Sequence, residues 1–456
     1  MSTAAGDRYD ELARWAAVLV DVPTVELTRR PGGGSHQAWD VTASSASSGG
    51  FAQRWFLRAD PVEPDPRKHY TLRREAEVYR AVRAIGLPSP AVLGVHPTIE
   101  AVLLERATGD AAFAKLDPSV QSAIIDDFAP WLARLHAADP VDMDLPSLGP
   151  VTTMADAVRR ELDLWEARLD DSAVPDPILS ACFQWLRDNV PATGDLPPRL
   201  VQGDTGPGNF LHDGQRVTAF LDFELAHLGD PMEDLAWVAT RNAQEPVPDF
   251  ARFLARYADA AATAPDRERI RYHCLFAELR IAALGAERLG AAADLEAEHG
   301  NRLIYGALHR RLTVEALATA MGVDLPPVTL PTLADTPDTR YFDAALHQMR
   351  HTIGPAIADP WADRLLKGLA RVTKYLRELD RAGERHTEAE LADLALLLGH
   401  RPVSVADGSS QLLALVRARQ LDAADLLPYA AAQVARRTQL VGPAMGILAT
   451  RHLPVI

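Results

Sequence analysis

Three oxygen-bearing side chains, Asp204, Asn209 and Asp222, interrupt the two short apolar strands of the stretch LVQGDTGPGNFLHDGQRVTAFLDFELAHLGDPMEDLAW, Leu200 to Trp237. A hydrophobic core gains nothing by burying them. Between Asp204 and Asn209 the chain reads DTGPGN, and its glycines and proline predict a sharply bent loop. Leu200–Gln202 and Val217–Leu221 are β-prone, and Asp213-Gly214 between them carries the signal of a tight hairpin. That hairpin folds the Asn209 end back beside the strand that leads to Asp222. The three groups then converge at one end of a small sheet. A carboxylate that can take a proton from a hydroxyl, with an amide and a second carboxylate as hard oxygen donors for Mg²⁺, is the equipment of phosphoryl transfer from a nucleotide.

Such a centre needs a phosphate-covering turn, a cation on the phosphates and a carboxylate to aim that cation. The turn PGGGS, Pro31 to Ser35, lies between the strand-like segments VELTRR and HQAWDVTAS. Its glycines allow backbone N–H groups to approach an anion closely. Arg58 in RWFLRADP is the candidate cation, and Glu75 in the helical LRREAEVYRAV is the candidate partner. Taken alone, the turn could be a plain hairpin and the pair an ordinary surface ion pair of little worth. VLLERATGD, Val102 to Asp110, reads as a strand running into a loop.

The pattern predicts an α+β chain. Residues 1–104 form a small antiparallel sheet with one key helix, preceded by the amphipathic helix of MSTAAGDRYDELARWAAVLVD. Residues 105–321 are mainly helical around the central stretch. Residues 322–339 hold four prolines and read as a linker, and residues 340–456 form an all-helical terminal domain. Asp230, Pro231 and Glu233 have the order of an N-cap, a first-turn proline and a capping-box partner, so they are assigned to architecture. Asp234 is expected to brace the loop, and His136 to pack or cap a helix end.

Gln202-Gly203-Asp204 through Asn209, then Leu221-Asp222-Phe223-Glu224 and Gly229-Asp230-Pro231 with Asp234-Leu235-Ala236, resemble the signature of the aminoglycoside phosphotransferase family, which includes choline kinase-like enzymes. The resemblance runs over about residues 24–317. It implies the two-lobed protein kinase-like fold, with Asp204 as catalytic base and Asn209 and Asp222 as magnesium ligands. It further implies that Gly32, Gly33, Gly34, Ser35, Arg58 and Glu75 bind nucleotide phosphates, and that Glu105 and Ala107 meet adenine through main-chain groups. The sequence departs from the family at three places: His36 stands for the usual Asn, Arg58 for Lys and Gln202 for His. Arginine is a planar two-pronged donor rather than a point charge, so nucleotide positioning is expected to differ.

The expected activity is transfer of the γ-phosphate of ATP (or GTP) to a hydroxyl of a small molecule, with Mg²⁺ as cofactor. The alternative is a nucleotide-binding regulator without phosphotransfer, which Arg58 and Gln202 favour and the retained Asp204, Asn209 and Asp222 oppose. A metal-dependent hydrolase using Asp204 and Asp222 would lack the usual histidine ligands and leave Arg58 and Glu75 unexplained. The formal charge of −15 disfavours a nucleic-acid partner, and no uncharged apolar run approaches the ~20 residues of a membrane span. Two widely spaced cysteines give no disulfide framework, so a reducing, cytoplasmic setting is expected. Acceptor choice is expected to fall to helices between about Asp234 and Leu317, where Arg267, Arg269, Arg271 and Arg280 alternate with Glu268 and Glu278. The absence of an acidic cluster there favours a neutral or anionic acceptor over an aminoglycoside. The apolar stripes of the terminal helices read as core, or as the surface of a homodimer.

Overall fold

A computed structural model describes residues 3–30, 36–43, 53–60, 68–171, 176–290 and 299–456. Gly32, Gly33, Gly34 and Ser35 of the glycine turn lie outside the described residues. The chain divides into two compact units, Met1–Ala157 with Gly194–Asp266, and Val158–Thr193 with Arg267–Ile456. Both units are therefore assembled from non-contiguous stretches, and they divide at places other than the boundaries expected at 104, 321 and 339.

The first unit opens with helix α1 (Thr3–Leu19) and strands β1 (Val25–Arg29), β2 (Gln37–Ala43) and β3 (Arg54–Asp60). Helix α2 (Leu72–Ala84) and strands β4 (Val92–Val95) and β5 (Glu100–Glu105) complete an antiparallel sheet in the order β1-β2-β3-β5-β4. Alternation in β2 and β3 turns Trp39, Val41, Leu57 and Ala59 to one side, where Leu12 and Ala16 of α1 pack on them. Strand β5 is buried at almost every position, because the sheet is covered on both faces there. Register places Arg58 between Ala38 and Val102, in the middle of the sheet. Thr71 caps α2 by accepting from the Arg74 amide, which puts Glu75 in the first turn with Leu72, Ala76, Tyr79 and Val82 on the buried face.

Helix α3 (Pro118–Ala137) begins the helical part of this unit, and helix α4 (Met154–Asp170) and helix α5 (Pro177–Asp188) follow in the chain. Four short strands return the chain to the first unit: β6 (Arg199–Val201), β7 (Phe210–His212), β8 (Val217–Phe220) and β9 (His227–Gly229). β7 and β8 form the expected hairpin around Asp213-Gly214, and β6 pairs with β9. Phe128 of α3 stacks on Phe220, with ring centroids 5.3 Å apart, and lies 5.0 Å from Phe210, so the hairpin is fixed to the helical core. Helix α6 (Pro231–Arg241) starts on Asp230, whose carboxylate accepts from the Met232 amide, and helix α7 (Phe250–Ala261) packs on α3. The Glu233 carboxylate reaches His227 at 3.2 Å.

The second unit is helical. Helices α8 (Arg267–Gly290) and α9 (His299–Met321) lead into an irregular segment, then α10 (Thr339–Gln348), the 39-residue α11 (Pro360–Leu398), α12 (Val405–Arg417) and α13 (Ala423–Met445). The proline-rich stretch is not a free tether. Gln439 of α13 donates to the Pro331 carbonyl, and Leu325, Pro326, Val328 and Leu330 wall an apolar cavity of about 540 Å³ against α13. Glu278 of α8 pairs with His309, and Arg280 is buried with its guanidinium 4.1 Å from the Phe276 ring centroid. Two of the charges expected to face an acceptor thus serve the interior of this unit. Among the described residues no helix is long and apolar enough to cross a membrane.

Candidate active site

The loop after β6 is bent by Gly203, Gly206 and Gly208, at φ of 82°, 136° and 93°, a region L side chains rarely adopt. Asp234 of α6 anchors the start of this loop by accepting from the amides of Gln202, at 2.8 Å, and Gly203, at 2.9 Å. The same carboxylate is 3.0 Å from His136 Nε2, and His136 Nδ1 is 2.8 Å from the Tyr257 hydroxyl. His136 is therefore a positioning residue for the loop, one step removed from Asp204, rather than packing alone. Gln202 fills the place of the family's histidine structurally, donating from Nε2 to the Leu221 carbonyl at 2.6 Å.

The structure brings Asp204, Asn209 and Asp222 together. Asn209 Nδ2 donates to Asp204 Oδ2 at 2.8 Å and to the Asp204 carbonyl at 2.7 Å. The amide of Leu221 donates to the Asn209 carbonyl at 2.9 Å, which ties the neighbouring Asp222 to the loop. Asp222 takes φ of 59°, uncommon for a residue with a side chain, and its amide is held by the Tyr79 hydroxyl of α2 at 2.9 Å. Burial raises the Asp204 carboxyl above the usual range, opposed by the charge of Arg241 and aided by that of Asp222.

Arg58 gathers the second half of the site. Nη1 donates to Glu75 Oε1 at 2.5 Å and to Asp222 Oδ1 at 3.0 Å, while Nη2 donates to Glu224 Oε2 at 2.7 Å. Three carboxylates around one guanidinium leave an excess of negative charge. Burial, with Asp222 and Glu224 near by, pushes the Glu75 carboxyl up against the pull of Arg58. A lysine could not serve both prongs, which is the physical meaning of arginine here. His36 pairs with Asp60 at 2.8 Å; burial lowers its pKa, but the Asp60 bond and charge outweigh this and raise it overall.

Asn209 Nδ2 is spent on Asp204, so its Oδ1 is left as an acceptor, and Asp222 has an oxygen beyond the one that Arg58 holds. These hard oxygens fit Mg²⁺, which binds one or two carboxylates and takes its remaining ligands from phosphates and water. Among the described residues no group of three or more His, Cys, Asp and Glu side chains forms an all-protein metal cage. Glu105 ends β5 with its amide on the Ala91 carbonyl, and Ala107 follows in the half-exposed connection to α3.

Two further groups complete the site, Arg241 and Glu224. Arg241 donates from Nε to Asp204 Oδ1 at 2.8 Å and from Nη2 to Asp204 Oδ2, and its Nη1 donates to the Pro207 carbonyl at 3.0 Å. The loop is folded around this side chain: a Cβ on Gly206 would lie 3.1 Å from Arg241 Cδ, and one on Gly208 3.2 Å from Nη1. The signal was available, since Arg241 lies seven residues, two helical turns, after Asp234 and so on the same face of α6. Glu224 had no role assigned, and the structure puts it on Arg58.

The sequence model of the phosphotransferase enzyme family (APH) matches residues 26–273, more than half of the chain. The chain belongs to that family. This phosphotransferase is an enzyme of the small-molecule kinase class. It is 28% identical to human acyl-CoA dehydrogenase family member 11 over 196 residues, 40% of this chain and 25% of the relative. It is 27% identical to mouse acyl-CoA dehydrogenase family member 10 over 180 residues, 37% of this chain and 16% of the relative. The phosphotransferase thus spans about a quarter or less of the length of these curated relatives. A Ralstonia eutropha JMP134 structure assigned to the aminoglycoside phosphotransferases superposes with a TM-score of 0.53 at 19% identity, covering 69% of this chain and 99% of its own. That likeness shows the fold, with its five-stranded antiparallel sheet and helical remainder.

Proposed function

We propose that this phosphotransferase moves the γ-phosphate of ATP (or GTP) to a hydroxyl of a small molecule. The supporting observation is the continuous chain of contacts from Arg241 through Asp204 and Asn209 to Asp222, and from Asp222 through Arg58 to Glu75. In this reading Asp204 accepts the proton of the attacking hydroxyl. The hydroxyl oxygen forms the new bond to the γ-phosphorus as the bond to the β–γ bridging oxygen breaks, and the nucleoside diphosphate leaves with that electron pair. Mg²⁺, when bound by Asn209 and Asp222, supplies neutralisation of charge on the phosphate oxygens. Arg58 is aimed by Glu75 and Glu224 and grips phosphate oxygens. Main-chain groups of Glu105 and Ala107 meet the base, and the glycine turn of Gly32, Gly33, Gly34 and Ser35 covers the phosphates.

Thermal-shift titration with ATP, GTP and Mg²⁺, followed by a transfer assay on a broad panel of alcohols, tests the proposal. Stabilisation by the nucleotide should depend on Mg²⁺, and that dependence should be lost in Asp222→Asn. A metal-independent shift in both proteins would refute the ligand assignment.

A second reading has one specific observation behind it. Both carboxylate oxygens of Asp204 are engaged by Arg241, which would hold the carboxylate back from an acceptor hydroxyl in a protein that binds nucleotide without transferring phosphate. It predicts nucleotide binding equal to that of an active kinase, with no transfer to any alcohol of the panel. The sequence between about Asp234 and Leu317, where Arg267, Arg269, Arg271 and Arg280 alternate with Glu268 and Glu278, offers no obvious acidic cluster for a polyammonium sugar, so a neutral or anionic alcohol is the preferred acceptor.

A further inference from the structure

Arg241 covers both oxygens of Asp204, Oδ1 from Nε at 2.8 Å and Oδ2 from Nη2. Oδ2 also accepts from Asn209 Nδ2 at 2.8 Å, whereas Oδ1 has no second partner among the described residues. A general base needs an oxygen within hydrogen-bond reach of the hydroxyl it deprotonates. The oxygen that could serve is the one Nε holds. One helical turn beyond Arg241 stands Glu245, whose amide donates to the Arg241 carbonyl at 2.8 Å, so the two side chains share a face. The Val247 amide, on Asn242 Oδ1 at 2.7 Å, fixes the chain just after it. Both side chains flank Gly208 of the bent loop: a Cβ there would lie 3.2 Å from Arg241 Nη1 and 3.6 Å from Glu245 Oε1. Yet the two do not meet. Glu245 forms no ion pair or hydrogen bond among the described residues, and its Oε2 is buried without a partner. Burial raises the Glu245 carboxyl, and the charge of Arg241 opposes this. A desolvated carboxylate left unanswered is destabilising, and the guanidinium beside it is the group that could answer it.

We propose that Glu245 is a positioning residue, the second seat of Arg241: the guanidinium turns from Asp204 to Glu245 and so bares Asp204 Oδ1 to the acceptor hydroxyl. This rests on the reading of Asp204 as the base of phosphotransfer. In the first seat the base is held but covered. In the second it is uncovered, while Asn209 keeps Oδ2 and the loop in place. Gly208, at φ of 93°, puts only a hydrogen between the seats, where any side chain would stand in the way. Charge decides which seat is filled. Burial works against the charge of Arg241, and the carboxylates of Asp204, Asp222 and Glu245 sustain it. Two of these three belong to the Asp204 cluster. With Asp222 neutralised that side loses pull and Glu245 gains, which couples loading of the site to release of the base. Capping of both Asp204 oxygens is then the resting state of an active enzyme.

The test is a double-mutant cycle of the full chain over Glu245→Gln and Arg241→Met. Calorimetric titration of the non-hydrolysable analogue AMP-PNP with Mg²⁺ is run beside turnover of γ-labelled ATP on the alcohol that the wild type labels best. Glutamine keeps the size of Glu245 and removes its charge, so the unfolding temperature should not fall. With Arg241 present, Glu245→Gln should weaken AMP-PNP binding with Mg²⁺ about three-fold and lower kcat about ten-fold, at an acceptor KM within about two-fold of wild type. Without Mg²⁺ its AMP-PNP binding should equal that of the wild type. In the Arg241→Met background the same replacement should change binding and kcat by no more than about two-fold. Equal effects of Glu245→Gln with and without Arg241 would overturn the proposal. So would a loss confined to the acceptor KM, which would make Glu245 a substrate contact. A wild type that labels no alcohol would overturn it together with the phosphotransfer reading, whereas an active wild type indifferent to Glu245→Gln would overturn it alone.

Discussion

In the first unit Arg58 meets three carboxylates, Glu75, Asp222 and Glu224; in the second unit Arg436 of α13 meets two of α11, Glu390 and Asp393. The side chains are alike and the arrangements are not. Glu390 has both oxygens answered, Oε2 by Arg436 at 2.9 Å and Oε1 by Tyr429 at 2.8 Å and Gln433 at 2.9 Å. Around Arg58 negative charge is in excess, the buried Glu75 Oε2 has no hydrogen-bond partner among the described residues, and Asp222 sits at positive φ. The Arg436 cluster, which ties α13 to α11, answers both oxygens of Glu390. The Arg58 cluster combines an unanswered carboxylate oxygen with a residue at positive φ, as expected of the proposed site for phosphates and a cation.

The largest effect that would separate the two clusters comes from the base. Asp204→Asn should lower turnover by about 10²–10⁴-fold and leave nucleotide affinity within a few-fold, read by steady-state kinetics beside calorimetric titration. No substitution in the Arg436 cluster should change turnover by more than about two-fold, and a comparable loss there would erase the distinction.

Arg241→Met comes next, with an expected loss of about 100-fold from a carboxylate no longer held in place. The pH profile carries the sign. With Asp204 as the proposed base, activity should fall as pH drops through its pKa, which Arg241 holds down against burial. Removing the guanidinium should therefore move the acidic limb upward. An unmoved limb would make Arg241 a loop brace only.

A paired replacement then compares the arginines themselves. Arg436→Met strands Glu390 and Asp393 and should destabilise the protein by about 3 kcal/mol in denaturant unfolding, with the nucleotide KM unchanged. Arg58→Lys keeps the charge but loses one prong of the fork, so the nucleotide KM should rise about ten-fold with little change in stability. Exchanged outcomes would mean that the roles were exchanged. The smallest effect is expected from Gly206→Ala, which forces a Cβ to within 3.1 Å of Arg241 at φ of 136° and should slow turnover by about ten-fold or less.

Much of this contrast is legible in the sequence. The bent DTGPGN loop and the Asp-Gly hairpin follow from glycine and turn chemistry, and they bring Asp204, Asn209 and Asp222 to one place. Thr71 and the apolar face of α2 fix where Glu75 points. What escaped was long-range pairing. The spacing from Asp234 puts Arg241 on the loop-facing side of α6, but only the fold lays Asp204 against it, and Glu224 gains meaning only from Arg58, 166 residues away in the chain. The proline-rich stretch shows no periodicity, and its packing against α13 depends on residues a hundred positions later, such as Gln439. Charges on α8 look like a binding face in one dimension, yet Glu278 and Arg280 turn inward because His309 and Phe276 receive them.

The central claim is that Asp204, Asn209 and Asp222 form one phosphoryl-transfer centre. Its most direct test follows label from γ-labelled ATP into small-molecule alcohols, with wild type and Asp204→Asn compared at equal nucleotide occupancy. Label should pass to an alcohol with the wild type and be lost by at least about 100-fold with the variant; equal transfer by both proteins would contradict it.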